Sequence, residues 1–310
     1  MTRAIGLHHT AQIGLIPIPM LTQVLSIVAP VMLIAGLGFA WGRARQPFDT
    51  QMVSVLVTNI GAPCLLLSKL LTDRPDLVAM ASMVASAVSV VGGLALIGYV
   101  LLRIFGQPAR AFLPVMIFPN AGNMGMPLCL FAFGESGLAL AVAFFSTTAL
   151  LQFGLGQAIA SGRADLKAFL VNPVLWAFVI AVTLLAFDAT LPTWTMNTLG
   201  VLSGIVIPLM MLSLGISLAS LRVSSIGRGM AMAVFRLGGG FAAALAVTSL
   251  LGLEGTARGV VLIQASMPSA VFNYMFAARY GNQPAEVAGV VLIATVLSFL
   301  TLPGLVAFVL

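Results

Sequence analysis

Ten apolar stretches of 19 to 26 residues, separated by short loops that hold most of the charge, constrain this chain more than any other feature. About 20 apolar residues cross the hydrocarbon core of a bilayer as one helix. Only 7% of the 310 residues are charged, against about 25% in a typical soluble domain. The pattern predicts an all-α integral membrane protein with ten transmembrane helices, at residues 21–41, 51–71, 77–102, 109–133, 137–160, 169–187, 196–218, 230–251, 257–280 and 285–310.

The remaining polar composition excludes several functional classes. The net charge of +6 does not indicate nucleic-acid binding, because Lys and Arg are scattered singly or in pairs between the apolar stretches. Cys64 and Cys129 lie inside such stretches and are interpreted as small buried hydrophobes without a disulfide or metal role. His8 and His9 fall in an N-terminal tail, residues 1–20, to which we assign no function. We therefore expect no cofactor and no histidine-based site in the membrane.

The distribution of basic residues predicts the orientation in a cell (inner) membrane. Cytoplasmic loops carry an excess of Lys and Arg. The loops after the odd-numbered spans hold nine such residues and the opposite side holds four, which predicts cytoplasmic odd loops and both termini outside. The nine are Arg43, Arg45, Arg103, Arg110, Arg163, Lys167, Arg222, Arg228 and Arg279, and the four are Arg3, Lys69, Arg74 and Arg258.

The two halves of the sequence resemble each other. Residues 63–68 read PCLLLS and residues 208–213 read PLMMLS, at an offset of 145. Pro119 and Pro268 correspond at an offset of 149, and Glu135 and Glu286 at 151. Because five spans per copy is an odd number, the second copy must be inverted in the membrane. Inverted repeats of this kind are characteristic of secondary transporters.

Two of the ten stretches contain sequences that should interrupt a helix. Residues 118–127 read FPNAGNMGMP and residues 266–274 read SMPSAVFNY. Proline removes a backbone donor, and unwound backbone survives at membrane depth only where protein or a water-filled cavity satisfies it. The half-helices after Pro119 and Pro268 would present free N–H groups and a positive dipole end to an anion. Proline kinks filled by neighbouring helices are the alternative explanation.

Polar side chains near the two breaks are the candidate ligands for such an anion. Asn120 and Asn123 would donate side-chain N–H groups to a carboxylate, or cap the half-helix. Ser269 and Asn273 follow the second break and are expected to line the same cavity. Arg236 lies about 9 Å inside a span at 1.5 Å per residue, where an anion or a carbonyl cluster would be its partner. An arginine that snorkels to the interface is the alternative.

The first break resembles the fourth-helix signature of the auxin efflux carrier family, a proline–asparagine step followed by Met-Gly-x-Pro-Leu, here residues 124–128. Residues 232–284 are similar to the last third of that family, with Arg236 before glycines, a Met-Pro step at Pro268, Tyr280 and Pro284. The likeness covers most of the chain from Met20 on. Only residues 161–167 separate the halves, which resembles the bacterial members, because plant members carry a long cytoplasmic loop there.

This resemblance implies ten helices in two inverted five-helix repeats, residues 21–160 and 161–310, with helices four and nine broken and crossing. It also implies a scaffold and a transport domain, carboxylate substrates, and a homodimer through the scaffold helices. Pro119, Asn120 and Pro268 match the crossover positions, and Asn59 and Pro63 sit where the second helix contributes to the cavity. The candidate substrate-binding residues are Asn59, Pro63, Pro119, Asn120, Gly122, Asn123, Arg236, Pro268, Ser269 and Asn273.

One departure from the family affects the expected coupling. Plant members place an acidic and a basic residue within helix three, whereas no charged residue lies between Val78 and Leu102. A proton-linked role carried over from plant members is therefore in doubt, and uniport, sodium coupling or substrate-borne protons stay open.

The expected function is secondary transport of a small organic anion by alternating access, with the substrate at the crossover. An anion channel would need a continuous polar pore, and no stretch has a long polar stripe. An intramembrane enzyme would need a nucleophile with a base or a metal cluster, and apart from Glu286 at the very start of the last span the spans contain no histidine or acid to build one. A non-transporting structural subunit would not need paired broken helices.

Overall fold

The computed structural model describes residues 18–221 and 225–310, whose regular structure is helical. Most of the tail, with Arg3, His8 and His9, and also Arg222 lie outside the described residues. The helices are α1 Ile18–Arg43, α2 Thr50–Asp73, α3 Leu77–Ile104, α4 Ala109–Ile117, α5 Ala121–Ser161, α6 Leu166–Leu170, α7 Pro173–Ala186, α8 Thr193–Ser220, α9 Ile226–Leu250, α10 Gly255–Ala265, α11 Val271–Tyr280 and α12 Pro284–Val309.

Seven of these helices are long and apolar enough to cross a membrane within the described part of the chain, namely α1, α2, α3, α5, α8, α9 and α12. Local signals explain their ends. At the start of α3, the Asp76 carboxylate accepts a hydrogen bond from the backbone N–H of Ala79 at 2.6 Å. The chain turns after α3 at Gly106, whose φ of 61° suits glycine best. The protein is thus an all-helical, multi-pass membrane protein.

The fourth, fifth and sixth predicted spans each take a different form from a plain long helix. The sixth is the shorter α7, whose 14 residues begin after Asn172, where the side-chain oxygen accepts from the backbone N–H of Val174. The fourth and fifth meet inside α5, where Gly134 has φ 69° and ψ −158°. Because this conformation is not helical, Gly134 divides α5 into segments 121–133 and 135–161.

Both predicted breaks interrupt a helix in the structure. The first, residues 118–120, separates α4 from α5, and the second, residues 266–270, separates α10 from α11. The two breaks pair with each other as antiparallel backbone, with Pro119 opposite Ser269. The Asn120 N–H donates to the Pro268 carbonyl at 2.7 Å, and the Ala270 N–H donates to the Phe118 carbonyl at 3.2 Å. Each break therefore supplies hydrogen-bond partners to backbone groups that have lost their helical partners in the other break.

The outer faces and the helix contacts agree with a lipid environment. Leu33, Val201, Leu250 and Leu300 are each more than 70% exposed, and an apolar surface of this kind on a soluble protein would mark an interaction or aggregation site. Inside, α1 and α8 approach so closely that a Cβ on Gly215 would overlap the carbonyl of Ala35. Small residues at such contacts are how membrane helices pack without a hydrophobic driving force. The repeat symmetry and the division into halves stay predictions.

Candidate functional site

A cavity of about 70 Å³ lies against the first break, between α2, α5 and α8. One ordered water needs about 10–15 Å³, so the space admits a few waters or a small solute. None of its described lining residues carries a charge. Its polar lining is Ser54, Thr58, Asn120, Asn123, Thr148, Gln152 and Ser213, and its aromatic lining is Phe145, Phe153 and Phe272.

Asn120 lines this cavity and has one side-chain atom capping a helix and one without a partner in the described part of the chain. Its side-chain oxygen caps α5 by accepting from the backbone N–H of Asn123 at 3.3 Å. Its side-chain nitrogen, Nδ2, is buried and has no hydrogen-bond partner among the described residues. A buried donor without a partner costs about 1–3 kcal/mol. The unmet donor of a residue that lines the cavity is a candidate contact for a solute with a hydrogen-bond acceptor.

The backbone next to Asn120 adds to this polarity. α5 begins at Ala121 with a π-helical turn, residues 121–125, and Gly122 and Asn123 of that turn line the cavity. The first N–H groups of a helix have no partner within it and carry partial positive charge. On the second break, α11 begins at Val271, and Ala270 and Phe272 line the same cavity. The N-terminal regions of two half-helices therefore border one space.

Gly122 keeps part of that space empty. A Cβ at this position would lie 2.6 Å from Met210 Cε and 2.9 Å from Phe145 Cε2. Both side chains line the cavity. Any side chain at Gly122 would therefore push its neighbours into the volume that a solute would occupy.

Asn273, Ser269 and Pro268 brace the crossover and are not among the residues that line the cavity. The Asn273 side-chain nitrogen donates to Ser269 Oγ at 2.9 Å and to the Phe118 carbonyl at 3.3 Å. Its side-chain oxygen accepts from Gln152 Nε2 at 2.8 Å. Both polar side-chain atoms of Asn273 are thus hydrogen-bonded within the protein. One of these bonds orients Gln152, which does line the cavity.

Arg236 contacts a cluster of backbone carbonyls, one of the two partners expected from the sequence. Its Nη1 donates to the carbonyls of Met116 at 3.2 Å and Ile117 at 2.8 Å, and its Nη2 donates to the carbonyl of Ala265. The side chain is 0% exposed, so it does not snorkel to the interface. It does not line the cavity.

Asn59 and Pro63 are not brought into the cavity. Asn59 is exposed and borders a shallower outer cavity, whereas Thr58 and Ala62 line the central one. Asn59 lies within a π-helical turn, Val57–Gly61. Such a turn inserts one extra residue and changes the direction in which nearby side chains point.

Several lining residues escaped sequence reasoning. Thr148 and Gln152 lie four residues apart on α5, so they share one face. Ser213 is buried, and its hydroxyl has no partner among the described residues. A signal for Ser213 existed, since it ends the second copy of the repeated PxxxxS motif. No group of three His, Cys, Asp or Glu side chains that could hold a metal occurs in the described part of the chain.

Comparison with known proteins gives a family match over nearly the whole chain. The family model described as "Membrane transport protein" matches residues 23–168 and 158–306. An "uncharacterized transporter" of Methanocaldococcus jannaschii is 28% identical over 221 residues, which cover 67% of this chain and 70% of that protein. Another, of Methanothermobacter thermautotrophicus, is 29% identical over 196 residues, or 59% of this chain and 63% of that protein, somewhat under two thirds of its length.

Proposed function

This chain belongs to the membrane transport protein family, the auxin efflux carriers, and from that premise we propose that it moves a small carboxylate across the membrane by alternating access. The observation that carries this proposal is that Asn120 lines the central cavity and has a buried side-chain nitrogen without a partner among the described residues. A bound carboxylate oxygen would supply the missing acceptor.

Electrostatics favours an anion over a cation in this space. Each helix N-terminus carries the equivalent of about +0.5 elementary charge, and those of α5 and α11 both border the cavity. No described acidic side chain lines the cavity to oppose them. Asn120, Asn123 and Ser213 would complete the hydrogen bonds to the carboxylate.

The proposed membrane architecture has ten crossings in two inverted repeats, residues 21–160 and 161–310. In it α4 with segment 121–133 forms the broken fourth span, and α10 with α11 forms the broken ninth. Segment 135–161 is the fifth span and α7 the sixth. The common sequence offset and the pairing of Pro119 with Ser269 support this arrangement. Pairing of two copies through the scaffold helices stays part of the proposal.

We further propose that this conformation is open toward the cytoplasm. Ser54 and Phe272 border both the central cavity and two outer cavities, which extend past Gln51 to Arg279. Arg279 belongs to the side with more basic residues, which the positive-inside rule makes cytoplasmic. At the other end, an ion pair of 2.7 Å joins Lys69 of α2 to Glu135, directly after Gly134.

A thermal-shift screen in detergent tests the proposal. Malonate, malate and indole-3-acetate are each added with sodium or potassium to the wild type, to Asn120→Ala and to Asn197→Ala, a control on the exposed face of α8. A ligand that binds only the folded state stabilises it and so raises the melting temperature. At a ligand concentration of 100 times Kd, the stabilisation is about 2.7 kcal/mol.

We expect one carboxylate to stabilise the wild type and Asn197→Ala but not Asn120→Ala. Dependence on sodium would identify the coupling ion. Stabilisation by cations or neutral solutes and by none of the carboxylates would overturn the anion proposal. Counterflow in liposomes then separates a carrier from a channel, because only a carrier accelerates uptake when unlabelled substrate is trapped inside.

A further inference from the structure

We propose that Arg236 is a positioning residue that clamps the C-terminal ends of the two half-helices α4 and α10 and so fixes the crossover that orients Asn120. The inference rests on the proposed function only in taking the crossover as the substrate site. Arg236 acts through backbone carbonyls and does not touch the substrate.

The contacts of Arg236 join two segments that are far apart in sequence. Nη1 reaches the carbonyls of Met116 and Ile117 at the end of α4, and Nη2 reaches the carbonyl of Ala265 at the end of α10. These are the last carbonyls before the two breaks begin. A single guanidinium therefore holds both half-helices where each one stops.

The charges involved nearly balance. A helix C-terminus carries the equivalent of about −0.5 elementary charge, so the ends of α4 and α10 together present about −1 to one arginine. Arg236 is 0% exposed, and a buried charge persists only when it is paired and hydrogen-bonded. The carbonyl cluster is its counter-charge. Nη1 and Nη2 are thus occupied by backbone carbonyls, whereas Nε is buried without a partner among the described residues, and the side chain does not line the cavity.

The local structure of α9 allows the Arg236 side chain to reach the end of α10. A π-helical turn, Phe235–Gly239, contains Arg236. Immediately after it, a Cβ at Gly240 would overlap both the Ala265 carbonyl and Arg236 Nη2. Glycine at this position therefore leaves the space in which the guanidinium meets the end of α10.

The clamp is one residue away from the hydrogen bonds that define the crossover. Ile117 precedes Phe118, whose carbonyl accepts from the Ala270 N–H, and Asn120 donates its own N–H to the Pro268 carbonyl. Movement of the α4 end relative to the α10 end would strain both bonds. It would also shift Asn120, whose side chain caps α5 at the cavity wall.

Hydrogen exchange followed by mass spectrometry tests the clamp without a ligand. The full chain in detergent is compared as wild type, Arg236→Gln, Arg236→Lys and Gly240→Ala. Gly238→Ala is the matched control, because a Cβ at Gly238 meets nothing within 4 Å. The reporters are the amides of Asn120 and Ala270, and peptides of α1 are the reference.

We expect Arg236→Gln and Gly240→Ala to accelerate exchange at both reporters by about tenfold or more, because charge-assisted hydrogen bonds near them are lost, while α1 stays unchanged. Arg236→Lys should restore much of the protection, since it retains the charge. Equal acceleration in the reporters and in α1 would mean a general loss of stability and would overturn the clamp, as would unchanged reporters. If Arg236→Gln does not fold, Arg236→Lys and the comparison of Gly240→Ala with Gly238→Ala still test the clamp.

The result does not depend on the transport proposal. If no carboxylate stabilises the wild type in the thermal screen, the proposed function fails, yet the exchange rates still decide the role of Arg236. If carboxylates do bind and the reporters are unchanged in every variant, the clamp fails alone.

Discussion

The backbone N–H of Asn120 donates a hydrogen bond to the carbonyl oxygen of Pro268 at 2.7 Å, although 148 residues separate the two along the chain. Proline and glycine interrupt both helices locally, and this bond shows that the interruptions meet. Because the backbone of Asn120 is fixed by the second break, its side chain is held at the cavity wall by structure contributed from both halves of the protein.

Replacing Asn120 by Asp should separate helix capping from anion binding. The aspartate oxygen can still accept from the Asn123 N–H, so α5 keeps its cap. The Nδ2 donor is lost and a like charge faces the carboxylate, so its affinity should fall by about tenfold or more. Melting curves with and without carboxylate measure both effects. An Asn120→Asp variant that binds as well as Asn197→Asp would falsify the assigned role.

The Gly122→Ala variant should reduce the size of solute that the cavity accepts. Its Cβ displaces Met210 and Phe145, both of which line the cavity, at a stability cost of about 1–3 kcal/mol for overpacking. Binding of indole-3-acetate should weaken more than binding of malonate, as judged by thermal shift. Gly93→Ala is the control, because a Cβ there meets nothing within 4 Å. Equal weakening of both ligands would argue against a steric effect in the cavity.

Breaking the Lys69–Glu135 ion pair should change the populations of the proposed inward-open and outward-open conformations. It should have little effect on the free energy of unfolding. The pair joins α2 to the start of segment 135–161 at 2.7 Å, and exposed pairs contribute about 0–1 kcal/mol, up to roughly a fivefold change in populations. We expect Lys69→Ala to raise the labelling rate of a cysteine introduced on the side of the cavity that the proposed orientation makes extracellular. The double variant with the charges exchanged, Lys69→Glu with Glu135→Lys, should return the labelling rate to that of the wild type.

The control for this prediction is a second ion pair at the same end of α2. Arg74 contacts Asp188 at 2.7 Å, in the loop after α7. In the proposed architecture that contact stays within the scaffold, so Arg74→Ala should leave the labelling rate unchanged. If Arg74→Ala and Lys69→Ala gave the same increase, the Lys69 pair would have no specific role in closing the extracellular side.

Asn273→Ala should destabilise the crossover itself. It removes hydrogen bonds to Ser269, Phe118 and Gln152, all of them buried. Unpaired buried polar groups cost about 1–3 kcal/mol each, so we expect a loss of roughly 2–4 kcal/mol in unfolding free energy, measured by denaturation in mixed micelles. Asn282→Ala, which loses one partly buried bond to Ala160, should cost less. A smaller loss at Asn273 than at Asn282 would contradict its bracing role.

Sequence reasoning came closest where a property depends on neighbours along the chain. The helices follow the apolar stretches, and the two breaks fall where Pro119 and Pro268 remove backbone donors. Asn120 was assigned from its place directly after a break, and the structure puts it at the cavity. The family was also recognisable, because residues 118–128 contain several of its characteristic steps in order.

Which side chains face the cavity depends on how each helix is rotated about its axis, and patterns along the chain do not fix that rotation. The family resemblance predicts Asn59 at the cavity; in the structure it lies in the π-helical turn Val57–Gly61, is exposed and borders an outer cavity, whereas its neighbour Thr58 also lines the central one. Asn273 was expected to line the cavity, and its polar atoms instead bind Ser269, Phe118 and Gln152. Substrate contact by any of these residues stays a prediction.

The sequence by itself thus determined a helical membrane protein, the positions of its helices and the two places where they break, because hydrophobic length and proline chemistry act over one or two turns. Only the tertiary structure decided that the breaks pair, that Arg236 meets the carbonyls of Ile117 and Ala265, and that Asn120 and Ser213, each with a buried polar atom that has no partner among the described residues, line one cavity. Those outcomes depend on helix rotation and on contacts between residues that belong to different helices, 29 positions apart for Arg236 and Ala265 and 119 for Arg236 and Ile117, which no local pattern specifies.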